Sequence, residues 1–61
     1  MKTSELTKKL KKIGCYIVRN GERHDIWYSP KTGKKFEVGR HKTQEVATGT
    51  LNKIMKDAGL K

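Results

Sequence analysis

The chain is predicted to fold as a two-layer α+β domain of order α-β-β-β-α, with a three-stranded antiparallel sheet covered on one face by two helices. Three observations predict it. An apolar stripe of helical period stands near each end of the chain. Three short runs rich in β-branched and aromatic residues lie between the stripes. Turn signals at Asn20-Gly21 and at Pro30 to Gly33 separate those runs, so the simplest arrangement is a meander. The 61 residues suffice for one small domain, taken as 1–61, with no repeat or low-complexity linker.

The elements follow in order. In "TSELTKKLKKIG" Leu6, Leu10 and Ile13 recur at i, i+4 and i+7 while lysines fill the opposite face, which predicts a helix from about Ser4 to Ile13. Thr3 or Ser4 is the expected N-cap, Glu5 suits the first turn, Lys11 and Lys12 suit the last, and Gly14 is the stop. "CYIVR", about Cys15 to Arg19, is too short for another helix and reads as the first strand. "HDIWYS" is the second strand, and "KKFEV", ended by Gly39, is the third. The helical period returns with Leu51, Ile54, Met55 and Ala58. Thr48 or Thr50 is expected to cap this helix, Gly59 to end it, and Leu60 to close the end with an apolar contact.

Alternation along the second strand sorts its side chains. His24, Ile26 and Tyr28 share one face, and Asp25, Trp27 and Ser29 share the other. Trp27 is the largest apolar residue, so its face is expected to meet the helices. His24 then stands on the open face, near the hairpin end. Ile26 on that same face marks a surface that a partner could cover.

Composition narrows the function classes. Fifteen Lys and Arg against six Asp and Glu leave a net charge of +9, which favours a polyanionic partner, nucleic acid first and anionic membrane second. So short a chain buries only about 60% of its unfolded surface, so a shallow site or one completed by a partner is expected rather than a deep pocket. Cys15 stands alone and has no thiol to pair with. The charged N-terminus has no signal-peptide run, and no stretch approaches the ~20 apolar residues of a membrane span. A cytoplasmic protein is the expectation.

His24 is the candidate with chemistry. An imidazole changes charge near neutral pH and can serve as general acid or base, taking the proton of a ribose 2′-hydroxyl or giving one to a leaving 5′-oxygen. Arg23, Lys34, Lys35, Arg40 and Lys42 are candidates to hold the phosphate, so no metal or other cofactor is required. In an antiparallel meander the start of the second strand lies opposite the end of the third, which brings His24 toward Arg40, His41 and Lys42. His41 is expected to contact phosphate. Lys53 and Lys56 on the second helix extend the basic surface, as a helix and a basic loop do in α-β-β-β-α domains that bind double-stranded RNA. Cys15, His24, Asp25 and His41 lack any recognised zinc spacing. The residues alone admit an RNA-cleaving enzyme, a non-catalytic RNA-binding module of the same fold, or a small DNA-binding or ribosome-associated basic protein.

The combination of "TSELTKKLKKIG", "GERHDIWYSPKTGKKFEV" and "RHKTQEVATGTLNKIMKDAGL", in that order, resembles the HicA family of bacterial mRNA interferase toxins over nearly the whole chain. The resemblance implies a double-stranded-RNA-binding-like fold, cleavage of mRNA by one catalytic histidine on the sheet, matched here by His24, and inhibition by a HicB-type antitoxin. Two positions depart from the family pattern. Arg23 stands where members commonly have Ser or Asn, and Gly39 stands where the family usually reads Pro before Arg-His.

Overall fold

The computed structural model describes residues 1–60 and has the predicted order: α1 (Thr3–Lys12), β1 (Tyr16–Asn20), β2 (His24–Ser29), β3 (Lys34–Gly39) and α2 (Thr48–Ala58). The strands form one antiparallel sheet in the order β1-β2-β3. The core lies between the sheet and the helices. Leu6 and Leu10 of α1 are fully buried, and Trp27, Phe36 and Val38 of the sheet and Ile54 and Ala58 of α2 are buried with them. Truncating a buried leucine such as Leu10 to alanine costs about 2–5 kcal/mol, so the α1 stripe carries a large share of a small domain's stability.

Strand alternation has the expected parity. Trp27 pairs with Phe36 and Asp25 with Val38, which puts these residues on the helix-covered face. The open face carries three rows across the sheet: Tyr16, Tyr28 and Lys35; Arg19, Ile26 and Glu37; and His24 opposite Gly39. A bulge between Ile17 and Arg19 breaks the β1–β2 register, so Ile17 and Val18 stand half in solvent on the free edge.

Both helices end as their glycines predict. The amide of Cys15 bonds the Leu10 carbonyl and that of Gly14 bonds Lys11, while Leu60 bonds Met55 and Gly59 bonds Lys56. Each pair is a Schellman closure, with the glycine left-handed, at φ 94° for Gly14 and 82° for Gly59. Leu60 packs against the core. The first closure takes up the Cys15 amide, so β1 begins at Tyr16 rather than Cys15 and runs on to Asn20.

The N-termini differ from expectation. Lys2, not Thr3 or Ser4, occupies the N-cap of α1, and Ala47 that of α2; neither helix has a side-chain cap. Tertiary contacts replace the cap in α1. The amide of Ser4 bonds the Lys42 carbonyl, and the Thr3 amide and hydroxyl both bond that of Gln44, all at 3.0 Å. The C-terminus of α2 is held from the β2–β3 turn. Ser29 Oγ donates to the Ala58 carbonyl at 2.8 Å, Lys31 Nζ to that of Gly59 at 3.2 Å, and Thr32 Oγ1 to that of Asp57. Among the described residues no helix is long and apolar enough to cross a membrane.

Candidate functional site

His24 is exposed at the first position of β2, and the β1–β2 hairpin fixes its backbone. Asn20 still pairs with Asp25, so the chain reverses at Glu22 and Arg23 rather than at Asn20-Gly21. Gly21 closes the reversal, its amide donating to the His24 carbonyl at 2.9 Å. A Cβ on Gly21 would stand 2.3 Å from that carbonyl oxygen, so the tight closure requires glycine here. The imidazole itself lies across Gly39. Its Cδ2 is 3.9 Å from where a Cβ of residue 39 would sit, so the lack of a side chain there leaves the ring uncovered on the β3 side.

Three surface grooves meet at this ring. One, of about 490 Å³, runs along the outer edge of β3 toward α2 and includes Lys35, Glu37, Thr50, Lys53 and Asp57 in its walls. A second, of about 230 Å³, passes over Gly39 to the segment before α2 and reaches Gln44, Ala47 and Thr50. The third, of about 420 Å³, is bounded by Glu22, Arg23, Arg40, His41 and Gln44. His24 lines all three: the walls bring Lys35 and Lys53 toward it beside Glu37 and Asp57 on one side, and Arg23 and His41 beside Glu22 at the hairpin end.

Arg40 occupies this corner in a different manner. Its Nε donates to Asp25 Oδ1 at 2.9 Å, and its terminal nitrogen donates to the Gly21 carbonyl. Much of its charge is therefore met within the chain, and the side chain ties the end of β3 to the hairpin that carries His24. Lys42 is exposed in the loop whose carbonyl caps α1. Lys34 pairs with Ser29 at the far end of the sheet, and Lys56 is exposed on α2. None of these three lysines lines the grooves at His24. Sequence reasoning had no signal for Thr50 at the site, or for Asp25 as the partner of Arg40. Both contacts join residues more than a dozen positions apart. Cys15 is buried in the core, away from the grooves. Among the described residues no cluster of three or more His, Cys, Asp and Glu is placed to hold a metal ion.

An accessible imidazole flanked by lysines and arginines suits acid–base chemistry on a phosphodiester. Comparison with known proteins adds one finding. A family model described as "HicA toxin of bacterial toxin-antitoxin" matches residues 3–60. No curated protein and no solved structure matches the chain. The match takes in every element of the fold and all three grooves. The chain belongs to the HicA family, the toxins of bacterial toxin–antitoxin pairs.

Proposed function

We propose that this toxin is a metal-independent endoribonuclease that cleaves mRNA with His24 as its general acid–base, and that a HicB-type antitoxin neutralises it. The observation that carries the reading is the placement of His24. Its ring is exposed, meets no side chain at residue 39, and lines grooves whose walls also carry Lys35 and Lys53 on one side and Arg23 on the other. His24 takes the proton of a ribose 2′-hydroxyl as that oxygen attacks the adjacent phosphorus. The bond to the 5′-oxygen breaks, and solvent supplies that oxygen's proton. Lys35 and Lys53 on one side, and Arg23 and His41 on the other, hold the phosphate and offset the charge that develops on it. Arg40 contributes less as a free cation and more by holding the hairpin.

The test is single-turnover cleavage of one RNA by wild type, His24→Ala and His41→Ala, with circular dichroism to confirm the fold and a binding measurement beside it. His24→Ala should lose about 10²-fold or more in rate and keep most of its RNA affinity. His41→Ala should lose less. Normal cleavage by His24→Ala with His41→Ala inactive would exchange the two roles. Binding by wild type without cleavage would leave a non-catalytic RNA-binding module.

A further inference from the structure

The open face of the sheet holds a second feature besides His24. Tyr16 and Tyr28 are paired across β1 and β2, with ring centroids 5.6 Å apart and planes inclined at 59°. The separation falls in the range where aromatic rings support each other edge to face, and the tilt means that neither ring covers the face of the other. Tyr16 is 51% exposed, so much of its ring is open to solvent. Lys35 lies directly opposite Tyr28, and Arg19 stands in the next row opposite Ile26. Tyr28 and His24 are on the same face of one strand, four residues or about 13 Å apart, a distance that a short stretch of extended nucleic acid bridges.

We propose that Tyr16 and Tyr28 form a stacking platform for unpaired bases of the RNA strand whose phosphate is presented to His24. The inference rests on the reading of the substrate as RNA and narrows it to single-stranded RNA. Aromatic rings on an open sheet recognise splayed-out bases, whereas an A-form duplex keeps its base faces inside its own stack. Lys35 and Arg19 border the rings and supply the charge for the adjoining phosphates. The chain's charge of +9 suits a polyanion on this face. Addition of a protein strand at the neighbouring edge is less well served, because the bulge between Ile17 and Arg19 interrupts the ladder that such a strand would extend.

The experiment measures binding of a fluorescent, fully 2′-O-methylated oligonucleotide, which cannot be cut by 2′-oxygen attack, as a single strand and as a duplex. The proteins are wild type, Tyr16→Ala, Tyr16→Leu, Tyr28→Ala and Tyr16→Phe, each checked by circular dichroism. Loss of a stacked base corresponds to about 5- to 150-fold in affinity. The Ala and Leu variants should show that loss for the single strand only, and Tyr16→Phe, which keeps the ring, should bind like wild type. Single-strand affinity within two-fold of wild type in the Ala and Leu variants would overturn the platform. So would equal loss for strand and duplex. The two proposals fail separately. If wild type stacks the methylated strand but leaves the unmethylated one uncut, the nuclease reading falls and the platform stands. If wild type binds neither strand nor duplex, both fall.

Discussion

Replacing Gly21 with alanine tests how the hairpin holds His24. The new Cβ would lie 2.3 Å from the His24 carbonyl oxygen, and contacts between such atoms are essentially never found under 3.0 Å. The obstructing atom belongs to the backbone, so it cannot swing aside as a side-chain end would. Relief requires the turn to open, which strains the 2.9 Å bond from the Gly21 amide to that same oxygen. Overpacking of this kind costs about 1–3 kcal/mol and a lost hydrogen bond about 1 kcal/mol more, so about 2–4 kcal/mol in all. A domain of this size has a total stability of roughly 3–9 kcal/mol. The melting temperature should therefore fall by roughly 8–30 °C. Gly49→Ala is the matched control. Gly49 lies in the first turn of α2, with nothing within 4 Å of its would-be Cβ and an ordinary backbone, so the same chemical change should stabilise by about 0.5–1 kcal/mol. Thermal and urea unfolding followed by circular dichroism give both numbers. Cleavage by Gly21→Ala, measured well below its melting temperature, should fall by up to about 10²-fold, because displacing the His24 backbone misplaces its ring. If Gly21→Ala melts with wild type and cleaves normally, the turn does not fix His24 and the reasoning is refuted.

Ser29→Ala removes the buried 2.8 Å bond to the Ala58 carbonyl at the end of α2 and should destabilise by about 1–3 kcal/mol in urea unfolding, with cleavage by the folded protein unchanged. Cys15→Ser places a hydroxyl in the core and should cost a similar amount, about 1–3 kcal/mol, while cleavage persists and a chelator leaves the wild-type rate unaltered. Chelator inhibition reversed by added zinc or magnesium would refute the metal-free mechanism. RNA affinity should fall steeply with salt, by about two units of log K per unit of log salt if Arg23, Lys35 and Lys53 each meet one phosphate of a single strand. A flat salt dependence would mean that these lysines and arginines form only a hydrated surface.

The order of elements was legible in the chain because it depends on short stretches. The spacing of Leu6 and Leu10 makes one helix face apolar wherever that helix sits. The alternation around Trp27 assigns His24 to the opposite face of its strand, and Gly14 and Gly59 stop helices through their own backbone freedom. The presence of a basic, histidine-bearing corner was legible for the same reason, since antiparallel pairing of consecutive strands brings residue 24 to the end of β3. What the local pattern left open is what long-range contacts decide. The caps of α1 come from the carbonyls of Lys42 and Gln44, so the favourable local caps Thr3 and Ser4 are not used as caps, and the last carbonyls of α2 are held by Ser29, Lys31 and Thr32. Arg40 reads as a free cation in "GRHK" and becomes the partner of Asp25 only when β3 lies beside the hairpin. Hydrophobic period and turn chemistry act within a few residues of chain. Ion pairs, shared carbonyls and the grooves at His24 are made by atoms that only the packed sheet and helices bring within a few ångströms.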